Sequence, residues 1–539
     1  MTTDEQLLHA DLRARIAALD VTRSFIIQAP AGSGKTELLI QRYLNLLAVV
    51  ANPEEVVAIT FTRKAAAEMQ LRVLQALRRR YDTDVPEEDH ERKTYELAGL
   101  VLARSEALQW NLIGNPRRMR ILTLDALNAS IARAQPLTVS GTGARIVVGA
   151  ELRAVLGLAS VATLDWLAEK GEMQEATIDV LRHVDNNTWL YASYLSQMLG
   201  TRDQWLPFVG SGRLTEPDAV SLRERFEESL EFAVTEHLQR ITQDLESSEY
   251  SSLVSLCDYA ATNMINNGMT SSPICHLAAL SQLPAPVPET IPQWKGIAEL
   301  LLTQQGQVRK QVDKRQGFPP DDKSRKDDMR ALLLAMATDA DLAECLRGVT
   351  TLPPVKYSDE QWRVLLALFQ LLPLAVIELK RIFAEQAITD HIEVALAAGA
   401  ALGSAENPGD VALLLDYQIK HLLVDEMQDT SAAQYRMLET LTGGWVPGDG
   451  RSLCCVGDPM QSIYRFRNAE VGQFLLAREF GIGHIKLAPL LLRRNFRSGE
   501  RLVDWFNTVF PTILAANDDP MRGAVAYSEA VPAAHLQGL

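Results

Sequence analysis

The stretch from Ser24 to Gln41, SFIIQAPAGSGKTELLIQ, constrains this chain more than any other. Phe25, Ile26 and Ile27 form a short apolar run that predicts a buried strand. Ala29-Pro30-Ala31-Gly32-Ser33-Gly34-Lys35-Thr36 then predicts a turn, and Glu37 to Leu47 a helix of good formers. Strand, glycine-containing turn and helix together make a phosphate-binding loop. Glycines without Cβ let backbone N–H groups wrap the phosphates, and the helix N-terminus adds partial positive charge. Lys35 can reach the terminal phosphates and the Thr36 hydroxyl can hold Mg²⁺. Ala29 stands where the strict G-x-x-x-x-G-K-[ST] pattern has its first glycine, so the loop is a variant. A nucleoside triphosphate is the expected ligand.

Strand and helix signals alternate on both sides of a long central stretch. Asp4 to Leu19 predicts a helix, Val56 to Thr60 a buried strand, and Ala65 to Arg80 a helix with Ala66, Met69, Val73, Leu74 and Leu77 on one face. Met119 to Thr123 predicts a strand, and Asp125 to Ala134 a helix ending near Pro136. From Val148 to about Leu396 the periodicity is mostly helical. The α/β pattern resumes with His421 to Val424, a strand ending in Asp425-Glu426, then a helix from Ser431 to Leu441. Further strands are expected at Ser452–Val456 and Ile485–Ala488, and a helix at Gly499–Phe510 stopped by Pro511. This order implies a parallel α/β sheet with ligands at the C-terminal strand ends. Asp425 and Glu426 suit the phosphate loop as partners, one for Mg²⁺ and one to orient and deprotonate a water.

Length and composition limit the alternatives. The 539 residues suggest about three or four domains. No apolar run is expected to reach membrane-span length, because Val364 to Leu379 is interrupted by Gln370 and Pro373. The charged N-terminus lacks the apolar core of a signal peptide, so a cytoplasmic location and no membrane partner are expected. The five cysteines form no CxxC pair, which fits a reducing compartment. A formal charge of -15 argues against holding nucleic acid by bulk charge, though a local groove can still be basic. The mixed-sign stretches Arg309–Arg315 and Asp321–Arg330 read as solvated faces.

Five segments in order, APAGSGKT, ITFTRKAAAEM, VDEMQDTSAAQ, VGDPMQSIYRFRNAE and LRRNFRS, resemble the motifs of superfamily 1 helicases. The likeness is to the UvrD group, and within it to the RecB- and AddA-like DNA-repair helicases. The resemblance implies a RecA-like phosphate-loop sheet domain in two segments, 1–147 and 397–490. A mainly helical insertion would occupy 148–396, and a second RecA-like domain would begin at 491–539. It implies ATP and Mg²⁺ as cofactors and 3′-to-5′ movement along single-stranded DNA, up to junctions with duplex, in repair or recombination.

The same resemblance assigns roles. Lys35, Glu426, Gln461 and Arg497 would serve catalysis, with Gln461 sensing the γ-phosphate and Arg497 clamping it. Ala29 through Thr36 would cradle the nucleotide, Phe496 would stack on its base, and Thr36 and Asp425 would hold the metal. Phe61 and Phe466 would stack on DNA bases, while Thr62, Lys64 and Arg467 would serve its backbone phosphates or couple them to the ATP site.

Departures from the pattern also matter. Asp11 to Arg15 resembles the region where the family often carries an adenine-reading glutamine, and that glutamine is missing. Asp125 replaces the usual histidine of a DNA-contacting segment and is expected to cap a helix. The family's later motifs and the nuclease cluster of its RecB and AddA members are not seen before Leu539. The chain therefore resembles the front part of a longer helicase, one that could work with a second protein in a helicase–nuclease. Beside the motor reading, a nucleotide- and DNA-binding piece without motor activity stays open. A phosphate-loop kinase does not, since it explains neither QSIYRFR nor NFRS.

Overall fold

The computed structural model describes residues 3–81, 85–134, 144–168, 170–209, 216–246, 250–404, 407–463 and 470–533. Its framework is a parallel sheet of β1 (Phe25–Gln28), β2 (Val56–Thr60), β3 (Arg120–Thr123), β6 (His421–Val424), β7 (Ser452–Gly457) and β8 (Ala488–Leu491). Two short strands, β4 (Arg145–Ile146) and β5 (Ile388–Thr389), pair in parallel outside it, as do β9 (Arg494–Asn495) and β10 (Val531–Pro532). The order across the main sheet is β3-β2-β6-β7-β1-β8.

Continuous apolar runs make this sheet because both of its faces are covered. Alternate side chains supply two cores. Phe25, Ile27, Val56, Ala58, Leu423, Cys454 and Val456 join a cluster with helices α1 (Thr3–Ala18), α2 (Lys35–Leu47), α3 (Arg63–Arg79) and α4 (Asp89–Ala107). Ile26, Val57, Ile59, Leu422, Val424, Leu453 and Cys455 join the opposite cluster, with α5 (Leu124–Ala134) and the helices from His391, Asp410, Ala432 and Val471. Each buried aliphatic side chain contributes about 1.5–3 kcal/mol, so a one-residue slip of a central strand would exchange the two cores at prohibitive cost.

Local signals differ from expectation at four places. The edge strand β8 starts at Ala488, where pairing with β1 begins, and the expected strand residues Ile485 and Leu487 are instead buried in the second core. Pro489 is tolerated there because β8 is an edge strand. Pro511 does not stop the last helix, which runs from Glu500 to Ile513. A proline in the final turn removes only one backbone bond. The cap of α5 is Thr123, whose hydroxyl accepts from the Ala126 amide at 3.2 Å. Asp125 sits inside the first turn, exposed, where its charge still complements the helix dipole. Finally, one helix, Asp359–Gln386, continues through Pro373 and is long and apolar enough to cross a membrane by length and composition alone. Half of its apolar window is buried within the protein, with Leu371, Leu372 and Leu379 fully enclosed, as in a core helix. Pro136 lies outside the described residues.

The chain divides into two compact units. The first contains the sheet and comprises Met1–Ala162, Ala192–Val209 and Ala375–Leu539. Within it, the fully buried Arg202 pairs with Asp390, at 2.9 Å to one carboxylate oxygen and 2.5 Å to the other, and Asp390 also caps the helix that starts at His391. The second unit, Thr163–Tyr191 with Gly210–Leu374, is helical in its described residues and built on its own core around Trp294, Phe318 and Leu256.

Candidate active site

The loop after β1 turns through Gly32, whose φ is +80°, and Gly34 caps α2. A Cβ at Gly32 would meet Asn495 Oδ1 at 2.6 Å and Arg497 Cβ at 2.9 Å, so the close approach of the 495–497 segment also demands glycine. That segment is tied to the loop by the Phe496 amide donating to Gly32 O at 2.8 Å. Asn495 Oδ1 accepts from the Arg497 and Ser498 amides at 2.8 and 2.9 Å. On the other flank, the Ala29 amide donates to Gly457 O at 2.9 Å, joining the loop to β7.

A cavity of about 410 Å³ opens over this loop. Ala29 through Thr36 line it, together with Glu426, Gln461, Phe496 and Arg497. Asp425 lies beneath, its backbone extending the β6 pairing through Ile59 O at 2.8 Å. Lys35 Nζ stands 2.5 Å from Glu426 Oε1 and 3.5 Å from Asp425 Oδ1. Burial works against the Lys35 ammonium, but the two carboxylates outweigh it and hold its pKa above the ordinary value. Burial pushes Asp425 up, and Lys35 pulls it only part of the way back. Asp429, one turn on, is pushed up to about 6 by burial and by the charge of Glu426. Gln461 Nε2 donates to the Asp458 carboxylate. Glu426 itself holds a φ of +54°, unusual for a residue with a Cβ.

The residues proposed for nucleotide chemistry thus gather at one place although they come from four separate stretches. Oxygen donors at Thr36 and Asp425 fit Mg²⁺, a hard cation that takes few protein ligands beside phosphate oxygens. Phe61, Thr62 and Lys64 follow β2 instead of lining the cavity. The Thr62 hydroxyl accepts from the Ala65 amide at 3.1 Å and caps α3, while Lys64 is exposed and Phe61 half-buried. Phe466 and Arg467 lie outside the described residues.

Several participants were given no role by local reading. Asp11, buried on α1, accepts from the Arg493 and Arg494 amides at 2.8 and 3.2 Å and from Arg15 Nε at 2.7 Å. Arg15 in turn donates to Ser33 O at 2.7 Å and lies 5.2 Å from the Phe496 ring centre. The missing glutamine is therefore answered by an Asp11–Arg15 pair that staples α1 to both the loop and the NFRS segment. Arg72 of α3 also lines the cavity, and Gln428 contacts Glu426 from below. Asp11 and Arg15 could have been suspected from their place in a region already singled out, and Gln428 from its place in VDEMQDTSAAQ; Arg72 could not.

A parallel sheet whose first strand opens into a glycine turn and helix, faced by carboxylates from a neighbouring strand end, defines a phosphate-loop nucleotide-binding protein. The sequence model of the UvrD/REP helicase N-terminal domain matches residues 10–266 and 298–480, and the chain belongs to that family. It is 23% identical over 534 residues to the A-type subunit of an ATP-dependent helicase/nuclease from Levilactobacillus brevis, covering 94% of this chain and 38% of that protein. A protein of the same name from Pelotomaculum thermopropionicum is 39% identical over 124 residues, 22% of this chain and 9% of the relative. The ATP-dependent DNA helicase UvrD1 of Mycobacterium tuberculosis is 37% identical over 97 residues, 17% of this chain and 12% of the relative. The chain thus spans well under half the length of these curated relatives.

Proposed function

We propose that this chain hydrolyses ATP with Mg²⁺ and couples the hydrolysis to 3′-to-5′ movement along single-stranded DNA, as the motor part of a DNA-repair or recombination helicase acting in the cytoplasm. One observation carries the reading: Lys35, Glu426, Gln461 and Arg497 converge on a single cavity above the phosphate loop. In it Lys35 would neutralise the terminal phosphates, and Arg497 would add a second fixed charge as negative charge shifts in the transition state. Glu426 would take the proton of the attacking water, with Gln461 orienting that water. Mg²⁺, when bound through Asp425 and Thr36, would offset phosphate charge. Phe61, Thr62 and Lys64, with Phe466 and Arg467, would track the strand by stacking and phosphate contact. Likeness to one subunit of a helicase/nuclease supports a partner subunit here too; junctions between single strand and duplex would be where such a motor works.

The test is ATP turnover by this chain with and without single-stranded DNA, beside a Lys35→Ala control, followed by unwinding of duplexes with 3′ or 5′ tails. Strand-stimulated turnover lost in the control, with unwinding from 3′ tails, supports the reading. Nucleotide binding without turnover would replace the motor with a nucleotide- and DNA-binding piece. Preference for 5′ tails would reverse the direction.

A further inference from the structure

We propose that Gln428 is the positioning residue that decides which oxygen of Glu426 meets the attacking water, and that it transmits movement of the Asp458–Gln461 segment to that carboxylate. This inference rests on the hydrolytic reading above. Gln428 is 1% exposed, and its amide spans two loops. The Asp458 backbone N–H can only donate, so it fixes Gln428 Oε1 as its acceptor at 2.9 Å. The amide is thereby oriented, and Nε2 must face Glu426, donating to Oε2 at 2.8 Å. A longer contact of 3.5 Å runs from the same Nε2 to Asp429 Oδ2.

The two oxygens of Glu426 are therefore not equivalent. Oε1 is held by Lys35 at 2.5 Å and Oε2 by Gln428. A triphosphate draws Lys35 away, because an ammonium between phosphate oxygens gains more than one beside a carboxylate already bonded elsewhere. Gln428 has no phosphate to follow and stays. Oε1 is then the free base. As the water oxygen bonds to the γ-phosphorus and the bond from phosphorus to the ADP oxygen breaks, the water proton passes to Glu426 Oε1. The products are ADP and phosphate.

Three features show that the surroundings are shaped around this amide. A Cβ on Gly457 would collide with Gln428 Oε1, so the glycine that ends β7 makes room for it. Glu426 sits in the left-handed region, a conformation that persists only where neighbours hold it. The turn after it is closed by the Asp429 amide to Glu426 O at 2.9 Å and the Thr430 hydroxyl to Met427 O at 2.7 Å. Asp458, which grips Gln428 through its amide, grips Gln461 through its carboxylate. A pull on Gln461 by a γ-phosphate therefore reaches Glu426 through three hydrogen bonds in series.

The experiment is a double-mutant cycle in strand-stimulated ATP turnover by the full chain, using wild type, Gln428→Leu, Glu426→Gln and the double variant. Gln428→Leu should lower kcat about 100-fold, the loss expected when a catalytic group is misplaced by an ångström, with KM and ADP affinity unchanged. In the Glu426→Gln background the same change should add no further loss. Gln428→Asn, which keeps the amide but is too short to span both loops, should show the same split if the leucine variant fails to bind ADP. Equal losses in both backgrounds, a rise in KM instead of a fall in kcat, or full activity in Gln428→Asn and Gln428→Leu would overturn the inference alone. A wild-type chain that binds nucleotide without turning it over would sink the hydrolytic reading, and this inference with it.

Discussion

The ammonium of Lys35 lies between Asp425 and Glu426, so it satisfies two carboxylates that a nucleotide would otherwise leave in mutual repulsion. Triphosphate binding must break the shorter of these pairs. Glu426→Gln should therefore bind nucleotide as tightly as wild type or more so, while turnover falls by about 10²- to 10⁴-fold. Fluorescent-nucleotide titration beside a turnover assay checks both halves; weaker binding in the variant would mean that the pair does not compete with phosphate. Asp429 offers a second handle. Its folded pKa of about 6 is above the ordinary 3.8, so the folded state holds this proton more tightly than the unfolded chain does. Stability from this group is full below about pH 4 and falls as pH rises through about 6. Asp429→Asn removes that fall. Its thermal midpoint relative to wild type should rise between about pH 4.5 and about pH 7, and a constant difference would show that Asp429 is ionised throughout.

Helices and strands here end where chemistry is needed. β1, β6 and β7 all run in one direction, so the phosphate loop, the Asp425-Glu426 pair and the Asp458–Gln461 turn emerge along a single rim. The Gly32 turn is the narrowest point on it. Gly32→Ala would force a left-handed alanine, at about 1–2 kcal/mol, and drive its Cβ against Asn495 Oδ1 and Arg497 Cβ. Both effects displace the segment carrying Phe496 and Arg497. We expect a lower thermal midpoint and a loss of nucleotide affinity larger than the loss of stability. Nucleotide affinity equal to wild type in a folded variant would mean that this segment adds nothing to binding.

The two compact units have separate cores, one spread over both faces of the sheet and one around Trp294 and Phe318. Only the first contains the nucleotide cavity. A ligand at about 100 times its dissociation constant stabilises the unit that binds it by about 2.7 kcal/mol. Scanning calorimetry with a non-hydrolysable ATP analogue should accordingly raise one unfolding transition and leave another in place. A single transition that moves as a whole would show that the units unfold together.

The phosphate loop, the strand ending in Asp425-Glu426 and the run leading to Gln461 were all legible in the amino-acid order. Each depends on near neighbours: an apolar strand, a turn and a helix within about twenty residues. Caps such as Ser431, with its reciprocal bond to Gln434, are readable for the same reason. Register was harder where packing competes with pattern. Ile485 looks like a strand residue and is a core residue, because the helical cluster below the sheet takes it before β1 can. Strand order and the pairing of Asp11 with the amides of Arg493 and Arg494 were beyond sequence reading, since those partners lie 482 and 483 residues away along the chain. The same holds for Gln428, whose role rests on an amide from β7's far end meeting its own. The amino-acid order by itself determined which groups could do phosphate chemistry. Only the tertiary structure decided which oxygen of Glu426 meets Lys35 and which meets Gln428, because hydrogen-bond direction depends on where a distant N–H happens to point.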